Sequence, residues 1–504
     1  MTDAVLPLLV GVPLGLAGLT AMARREARWT LPVMFVTLLA VWAVSIGLVA
    51  QTRDGSTMGH SVGAWPAGIA IPFVADQLSS LMLVVTGLLA LVCSWFAVVA
   101  GTGRVHLFAP FVLVLVAGVN GALLTADLFN LFVFIEVMLL PSYGLLILAA
   151  RRRGSEQSVR GSRLYVTFNL LVSTVFLAGV GLVYGIAGTV NIAELAGAAR
   201  DSAGVAVAAG TCLVALSMKA ATFPAYGWLA RAYPSTSPAV TALFSGLHTK
   251  VAIYAIYRIY AVVFDGDTRW LWIGLVVFTV TMVVGVLGAV GEQTTRSILA
   301  FHMVSQIGYI LLGVAIFTAA GLAAGLFYLL HHMIVKASLF LSAGAVEVRH
   351  GSARLDAVAA VGRREPLLAA AFAMSALSLA GLPPFSGFVA KLSIILASFE
   401  AGHVVVATVA IIVSLLTLLS MLKIWDAVFA SPEPDGGSSS TGAGQGTAVV
   451  PRVGLALTAP GLVLALVTLC LGLGAEGLLS LTQVAAEGLL DTSGYVDAVL
   501  GGGA

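Results

Sequence analysis

Six ionisable side chains lie inside long apolar segments, where charged residues are rare. They are Glu136 and every lysine of the chain: Lys219, Lys250, Lys336, Lys391 and Lys423. Burying one such group ionised in a bilayer costs about 2.5–3.5 kcal/mol, or roughly fifteen kcal/mol for the set if all were unpaired. A desolvated lysine can release its proton, whereas arginine cannot. These residue types therefore predict proton transfer within a membrane.

The predicted proton path crosses the middle of the membrane. It consists of Glu136, Lys219, Lys250, His332, Lys336 and Lys391. His332 and Lys336 are four residues apart, so they share one face of a helix. We expect Lys219 to be the partner of Glu136, because an ionised carboxylate at this depth requires one. A static ion pair that holds two helices together is the alternative.

Three further residues are possible members or exits of the path: His248, His331 and Lys423. His248 lies two positions before Lys250 and points to a different helical face, so a role in helix packing is an equal alternative. Lys423 lies near the cytoplasmic end of a helix, where it is either a proton exit or a snorkelling side chain. His302, near a helix start, is expected to face a cytoplasmic vestibule.

Prolines interrupt two apolar helices beside a lysine. Pro224 follows Lys219 by five residues, and the pair Pro383 and Pro384 precedes Lys391. A proline removes a backbone hydrogen bond, and the carbonyls that lose their partners are tolerated at membrane depth only when they are buried in protein or line a hydrated cavity. The order of lysine and proline reverses between two helices of opposite direction. This reversal predicts an inverted repeat.

The sequence lacks the residues that a metal site, a disulfide framework or an enzyme active site would need. His331 and His332 have no third Cys, Asp or Glu ligand near in sequence, and Cys93, Cys212 and Cys470 are far apart. Neither a metal site nor a disulfide framework is therefore predicted. The sequence contains no phosphate-binding loop and no nucleophile constellation, so we expect neither an enzyme nor a bound cofactor. Its basic residues are scattered in short loops, which argues against a nucleic-acid partner.

The composition determines the fold class. The chain has 504 residues, of which 60% are hydrophobic and 10% charged, and its mean hydropathy is +1.05. Soluble domains have roughly a quarter charged residues. We predict an all-α polytopic membrane protein with about fourteen transmembrane helices, since each span needs roughly 20 apolar residues. Their predicted bounds are 4–22, 30–50, 74–100, 105–125, 127–150, 163–187, 205–230, 236–262, 270–290, 296–317, 320–345, 367–398, 403–430 and 452–475.

The arginines give the orientation of these helices. Assigning alternate loops to opposite sides collects most arginines on one side, which is then cytoplasmic: Arg24, Arg25, Arg28, Arg104, Arg151, Arg152, Arg153, Arg160, Arg163, Arg231, Arg296, Arg349, Arg354, Arg363, Arg364 and Arg452. The other side receives only Arg53, Arg200 and Arg269. Arg258, near a helix end, is expected to snorkel. Both termini are therefore predicted on the external side of a plasma-membrane protein.

The repeat and the loops divide the chain into five predicted segments. Residues 1–104 hold helices one to three, 105–262 the first inverted repeat (helices four to eight), and 270–430 the second (helices nine to thirteen). Residues 431–451 are rich in Gly and Ser and form a flexible cytoplasmic linker. Residues 452–504 hold helix fourteen and a tail that lies at the outer surface or packs on the protein.

Four motifs resemble those of a known family. DLFNLFVFIE, LHTKVAIYAIYR, HHMIVKASLF and GLPPFSGFVAKL are similar to segments of the D subunit of the multisubunit Mrp-type cation/proton antiporters, and more distantly of the antiporter-like subunits of respiratory complex I. The resemblance extends over nearly the whole span from helix three to helix thirteen. It implies fourteen helices, two inverted five-helix repeats, discontinuous helices seven and twelve, and a central hydrophilic axis.

The resemblance also implies a role for each motif residue. Glu136 is similar to the family's glutamate of helix five, and the lysines of helices seven, eight and twelve are matched by Lys219, Lys250 and Lys391. The groups of helix eleven that link the two halves are matched by His332 and Lys336. Lys391 differs from the complex I subunit of most similar length, which often has glutamate there, although another complex I subunit has lysine.

The family works as a hetero-oligomer. The resemblance therefore implies a larger A subunit and several small membrane subunits as partners in the lipid bilayer, and exchange of cytoplasmic Na+ (or K+ or Li+) for external H+. No cluster of carboxylates with Ser or Thr marks a sodium site, so this chain is expected to carry protons. The alternative is a proton-pumping membrane subunit of a redox-driven complex, such as complex I or a membrane-bound hydrogenase. A purely structural scaffold subunit is the third possibility.

Overall fold

Helices make up most of the described chain. The structure is a computed structural model and describes residues 2–25, 27–65, 70–153, 156–431 and 452–501. The predicted linker, 431–451, lies outside the described residues except for Ser431. The helices are α1 (Val5–Ala21), α2 (Thr30–Gln51), α3 (Gln77–Val99), α4 (Phe108–Leu124), α5 (Leu128–Arg153), α6 (Glu156–Ala187), α7 (Ala198–Asp201), α8 (Ala203–Lys219), α9 (Gly227–Ala232), α10 (Pro238–Val262), α11 (Leu271–Gly291), α12 (Thr295–Ile316), α13 (Ala319–His350), α14 (Val361–Arg364), α15 (Pro366–Ala380), α16 (Ser386–Glu400), α17 (Val404–Ile424), α18 (Leu455–Leu473), α19 (Ala475–Leu490) and α20 (Ser493–Leu500).

The all-α membrane fold is confirmed. Within the described ranges, 10 helices are long and apolar enough to cross a membrane, and four further apolar helices of 10–17 residues are shorter: Val5–Ala21, Phe108–Leu124, Ala203–Lys219 and Pro366–Ala380. Two of these, α8 and α15, are the first parts of helices that the sequence predicted to be interrupted. The total of about fourteen spans stays a prediction.

The two central helices are surrounded by protein. Every residue of α10 is buried, and so is every residue of α13 from Gly321 to Glu347. In contrast, α2 and α17 present leucines and valines on an exposed face, as helices in contact with lipid do. Polar residues inside α10 and α13 are therefore shielded from lipid, and these helices can carry charged groups across the membrane interior.

Sequence signals mark where the central helices begin. Ser237 caps α10 by accepting a hydrogen bond from the amide of Val240 at 3.4 Å, and Pro238 occupies the first helical position. Thr318 caps α13 in the same way through the amide of Gly321 at 3.1 Å. Each cap satisfies an amide that the first turn of a helix leaves without an intrahelical partner.

Loops that the arginine distribution assigns to the external side contact one another. Strands β1 (Met58–Ser61) and β2 (Pro72–Ala75) form an antiparallel hairpin, which α20 contacts. Isolated bridges then join Phe73 to Thr125, and Asp127 to Asn191. The predicted tail therefore packs on the protein at this end. The membrane orientation itself stays a prediction.

Loops assigned to the cytoplasmic side meet at the opposite end. His106 Nε2 lies 2.6 Å from the carbonyl oxygen of Ala23, which joins the loops after α1 and α3. A bridge joins Thr294 to Arg354, between the loops before α12 and after α13. The pairing of loops is consistent with the predicted alternation of the helices.

The prediction for Arg258 is wrong, because this side chain does not snorkel. Arg258 is only 2% exposed, and its Nη2 atom lies 2.5 Å from Asp76 Oδ2 at the start of α3. The guanidinium also lies over the ring of Tyr495, with 4.4 Å between Cζ and the ring centroid. A buried arginine with a carboxylate partner and an aromatic cover joins three segments that are distant in sequence: α3, α10 and α20.

Removing either charge of the Arg258–Asp76 pair should destabilise the protein. We expect Arg258→Met and Asp76→Asn each to cost about 3–5 kcal/mol, because each leaves the other charge buried without its partner. Asparagine keeps the ability to cap α3, so Asp76→Asn removes only the charge. Thermal unfolding of the purified protein measures the effect as a melting temperature lowered by several degrees.

An exposed ion pair provides the matched control. Arg200 and Asp265 are 3.0 Å apart with side chains 64% and 46% exposed, so Arg200→Met should cost about 0–1 kcal/mol. Equal melting temperatures for Arg258→Met and Arg200→Met would contradict the role given to the buried pair.

Candidate proton path

Two interrupted helices frame the candidate path. α8 ends at Lys219 before the segment that contains Pro224, and α15 ends at Ala380 before the segment that contains Pro384. The peptide bonds that precede these two prolines are cis. Each break leaves the last carbonyl groups of a half-helix inside the protein. Such helix ends carry partial negative charge and favour a nearby cation.

Lys219 binds a neutral amide and not the expected carboxylate. Its Nζ atom donates to Asn169 Oδ1 of α6 at 3.2 Å, and the residue is 2% exposed. Glu136 is close enough to interact electrostatically with Lys219 and with Tyr143, but its Oε1 atom has no hydrogen-bond partner among the described residues. Lys219 is thus an electrostatic partner of Glu136, as predicted, but the two form no salt bridge, and Asn169 provides the oxygen that solvates the ammonium group.

Lys391 reaches back across the second break. Its Nζ atom donates to the carbonyl oxygen of Ala380, the last residue of α15, and to Ser414 Oγ of α17, both at 3.0 Å. The ammonium group also lies 5.5 Å from the ring centroid of Tyr309. A half-helix C-terminus, a hydroxyl group and an aromatic face thus solvate this lysine inside the protein.

Lys250 and Lys336 are likewise bound by neutral oxygen atoms. Lys250 Nζ donates to the carbonyl of Ser245 at 2.7 Å and to Thr249 Oγ1 at 3.1 Å. Lys336 Nζ donates to the carbonyl of Leu299 at 3.0 Å, and both lysines are 0% exposed. In the described part of the chain, no lysine nitrogen lies within 4.0 Å of a carboxylate oxygen. Dipoles, and not counter-ions, therefore stabilise these ammonium groups.

Two histidines are buried between the lysines. His332 interacts electrostatically with Lys250 and Lys336, and His302 with Lys336 and Lys391. Both histidines are 0% exposed, and their ring nitrogens have no hydrogen-bond partner among the described side chains and backbone. The expectation that His302 faces a vestibule is wrong, since α12 carries its side chain into the interior.

The two remaining histidines of the predicted path and its possible exits, His248 and His331, bind hydroxyl groups. His248 Nε2 lies 2.8 Å from Ser142 Oγ, and its Nδ1 lies 2.7 Å from the hydroxyl of Tyr165. His331 Nδ1 lies 2.8 Å from Ser386 Oγ at the start of α16. Each histidine is therefore part of a short chain of groups that can exchange protons, and each is also firmly packed.

The ammonium group of Lys423 binds backbone carbonyl oxygens at the end of α11. Its Nζ atom donates to the carbonyl oxygens of Val290 at 3.1 Å and Glu292 at 2.7 Å. A lysine at a helix C-terminus satisfies carbonyls that lack intrahelical partners. This contact favours a capping role for Lys423 over a proton exit.

Sequence reasoning missed the neutral side chains that complete the path. Asn169, Ser142, Tyr165 and Ser414 contact its lysines and histidines. Their signal in the sequence was a polar residue inside an apolar helix, which is common enough to be overlooked. Asp127 was also not predicted as a member of the path. It is partly buried just before α5, and this burial raises the pKa of its carboxyl group. Glu194 lies near it.

The structure brings the predicted residues together in three groups. The first is Glu136, Lys219 and His248; the second is Lys250, His332 and Lys336; the third is His302, His331 and Lys391. Lys336 interacts electrostatically with Lys391 and so joins the second group to the third. No hydrogen bond between described residues joins the first group to the second. His248 and Lys250 are close in sequence on α10 but lie on different faces of this helix.

The contact of Asn169 with Lys219 can be tested through stability. Asn169→Leu should cost about 1–3 kcal/mol, because a buried ammonium group loses its acceptor. In a Lys219→Met background the same substitution should cost clearly less. Thermal unfolding of the four purified variants gives this difference as a double-mutant cycle. Equal costs in both backgrounds would show that Asn169 stabilises the protein through other contacts.

A sequence model of the family NADH:quinone oxidoreductase/Mrp antiporter, transmembrane, matches residues 125–417. This range includes both breaks and all six residues of the predicted path. The D subunit of the Na(+)/H(+) antiporter of Alkalihalophilus pseudofirmus is 38% identical over 463 residues, which cover 91% of each chain.

Solved structures share the fold. A chain in the structure of the Mrp complex from Dietzia sp. DQ12-45-1b is 54% identical with a TM-score of 0.95, and the match covers 99% of this chain and 100% of that chain. A chain of the archaeal membrane-bound sulfane sulfur reductase, a respiratory membrane complex, is 24% identical with a TM-score of 0.86 over 99% of each chain. The second likeness is one of fold alone.

Proposed function

The chain belongs to the NADH:quinone oxidoreductase/Mrp antiporter family, and from this membership we propose that it is the proton-translocating subunit of a hetero-oligomeric secondary antiporter. It is a component of a transporter and not an enzyme. The complex exchanges cytoplasmic Na+, with K+ or Li+ as further candidate cations, for external H+. The observation that carries the proposal is the row of buried lysines whose ammonium groups bind neutral oxygen atoms.

Neutral partners allow a lysine to exist with and without its extra proton. Removing the proton from an ion-paired lysine would leave a buried carboxylate without its counter-ion, which is strongly unfavourable. Lys250, Lys336 and Lys391 donate to carbonyl and hydroxyl oxygens, which remain neutral when the lysine becomes neutral. The deprotonated amine can then accept the next proton, so these residues can act as a relay.

Glu136 and Lys219 form the acid–base step at one end of the path. Glu136 lies within electrostatic reach of Lys219, and Asn169 holds the ammonium group while no direct contact exists. Lys219 is the last residue of α8, where the chain loses its helical hydrogen bonds. A rotation of this side chain toward His248 or back toward Glu136 therefore needs little rearrangement of the backbone.

The repeat organisation is part of the proposal. The segments 105–262 and 270–430 each hold a broken helix with a lysine at the break, α8 with α9 and α15 with α16. We assign them as two inverted units with helices of opposite direction. Residues 1–104 and 452–501 then flank these units, with both termini outside the plasma membrane.

A larger A subunit and small membrane subunits are the proposed partners. The related antiporter chain of Alkalihalophilus pseudofirmus and the Mrp complex of Dietzia support an assembly of several membrane subunits. A membrane-arm subunit of a redox-driven pump is the second candidate function, because the matching family includes NADH:quinone oxidoreductase as well as the Mrp antiporter. Purification of the assembly separates the two: flavin or iron–sulfur subunits support the pump, and membrane subunits alone support the antiporter.

Replacing a relay lysine should abolish transport. We expect Lys219→Ala, Lys250→Ala and Lys391→Ala each to lower cation/proton antiport in everted vesicles by about 100-fold or more, the size of a lost acid–base group. The arginine variants at the same positions should fail too, because arginine keeps its proton. Immunoblots and purification confirm that the complex assembles. Full antiport with any of the alanine variants removes that residue from the path.

Lys423→Arg is the matched control. Arginine can still donate to the carbonyls of Val290 and Glu292 at the end of α11, so this variant should keep most of the activity. Loss of antiport with Lys423→Arg would instead support its role as a proton exit.

The orientation can be tested with cysteine labelling. Asp54 lies in an exposed loop at the predicted external end, and Asp356 at the predicted cytoplasmic end with a side chain 67% exposed. In a Cys470→Ser background, we expect a membrane-impermeant maleimide to label Asp54→Cys in intact cells and Asp356→Cys only in everted vesicles. The reverse pattern would invert the topology.

A further inference from the structure

A long apolar cavity opens on the surface of the helix bundle beside the first break. It has a volume of about 490 Å³ and lies between α8, α10, α11 and the end of α12. Its walls include Val207, Gly210 and Val214 of α8, and Ile273 and Val277 of α11. Val207 and Val214 are 72% and 58% exposed, so the cavity is open along its length. We refer to it as the α8–α11 slot.

The slot has the length of one membrane leaflet. Its α8 wall runs from Ala206 to Met218, and these twelve steps of a helix span about 18 Å. Half of a hydrocarbon core of about 30 Å is about 15 Å. The slot therefore extends from the external interface to about the middle of the membrane.

The lining of the slot matches a hydrocarbon chain. Apart from Ser217, Thr222, Tyr260 and Trp270, the residues that line it are glycine or have apolar side chains. A single extended hydrocarbon chain is thin enough to enter, and it carries no polar group that this lining would leave without a hydrogen bond. The lining therefore favours a lipid chain as the occupant.

The chemistry changes along the slot in the way a phospholipid requires. At the external end Trp270 is 42% exposed, as in the aromatic belt at a membrane interface. Arg200 and Arg269 lie near it and are ion-paired with Asp265 and Asp267, but their side chains remain 64% and 59% exposed, and the N–H groups outside these pairs can bind a phosphate. Toward the inner end, Thr222 Oγ1 donates to the carbonyl of Ser217 at 3.0 Å, so this hydroxyl is already satisfied.

The inner end of the slot is the break itself. Thr222, Phe223 and Pro224 line it, and the amide of Phe223 donates to Thr281 Oγ1 of α11 at 3.0 Å. The break directly follows Lys219, the last residue of α8. A chain that fills the slot therefore contacts the segment that must remain in place while Lys219 transfers protons.

We propose that the α8–α11 slot binds one acyl chain of a phospholipid of the external leaflet, with its phosphate near Arg200 and Arg269 and its chain end against the break. The bound chain supports the interrupted backbone beside Lys219. The binding itself does not depend on the proposed function; only an effect on transport would. Lipid binding is therefore the quantity to measure, and its failure is distinguishable from a failure of the antiport proposal.

Gly210 allows the slot to be filled without disturbing the helix. A side chain added at Gly210 meets no atom within 4 Å, and Gly210 lines the slot, so Gly210→Phe should occupy the space of the chain. Gly185 of α6 also meets nothing within 4 Å and lies outside the slot. Gly185→Phe is therefore the matched control for a new phenylalanine on the exposed surface.

Native mass spectrometry of the whole detergent-purified complex gives the first readout. Wild type and Gly185→Phe should retain one more phospholipid than Gly210→Phe. After delipidation, adding phosphatidylglycerol should raise the melting temperature of wild type and Gly185→Phe more than that of Gly210→Phe, since a ligand of the folded state stabilises it. Equal lipid retention and equal shifts in all three proteins would overturn the proposal.

A photo-crosslinker identifies the occupant directly. Benzoylphenylalanine in place of Val214 should form an adduct with the mass of a phospholipid in the purified complex. The same group in place of Tyr184, which is 59% exposed on α6, should not retain lipid in detergent. An adduct of Val214 with another protein subunit would show that a protein segment covers the slot, and would refute the lipid assignment.

Discussion

An ammonium group buried in a membrane must be solvated by oxygen atoms of the protein. This requirement explains much of the interior of the structure. Lys391 uses the carbonyl of Ala380 at the end of a half-helix, and Lys336 uses the carbonyl of Leu299 on a neighbouring helix. Main-chain oxygens at such depth are available only where a helix ends or where a long side chain approaches it closely. The broken helices therefore supply solvation for charge as well as interrupting the backbone.

The same requirement separates the two kinds of basic residue. The lysines of the path bind neutral oxygens, which tolerate both protonation states. A buried arginine, Arg258, binds the carboxylate of Asp76, which matches the permanent charge of arginine. Arg258 is also fixed by Tyr495 of α20. In the proposed relay, lysines are the groups that change charge, whereas an arginine with an acidic partner is a permanent charge that holds segments together.

The positions of the charged residues and of both breaks could be predicted, because burial of a charge and loss of a backbone hydrogen bond are costly enough to leave clear patterns in one sequence. The contacts could not. Lys219 was expected to be the partner of Glu136 because a buried carboxylate requires one, yet the hydrogen bond of Lys219 goes to Asn169 on a third helix. Such contacts depend on how each helix is rotated about its axis and on how deep it lies in the membrane. A helix whose residues are apolar on all sides gives little information on either quantity. The α8–α11 slot was unpredictable for the same reason, since it is formed by what four helices leave unfilled.

His332 lies within electrostatic reach of Lys250 and Lys336, and Lys336 in turn within reach of Lys391. Positive charges this close repel one another in an interior of low dielectric constant. In the proposed relay, this repulsion disfavours protonation of neighbouring sites at the same time. A proton that arrives at one end makes occupancy of the neighbouring site less favourable. Charge can thus move along the relay by a series of short proton transfers between neighbouring sites, so that no single proton travels the whole length.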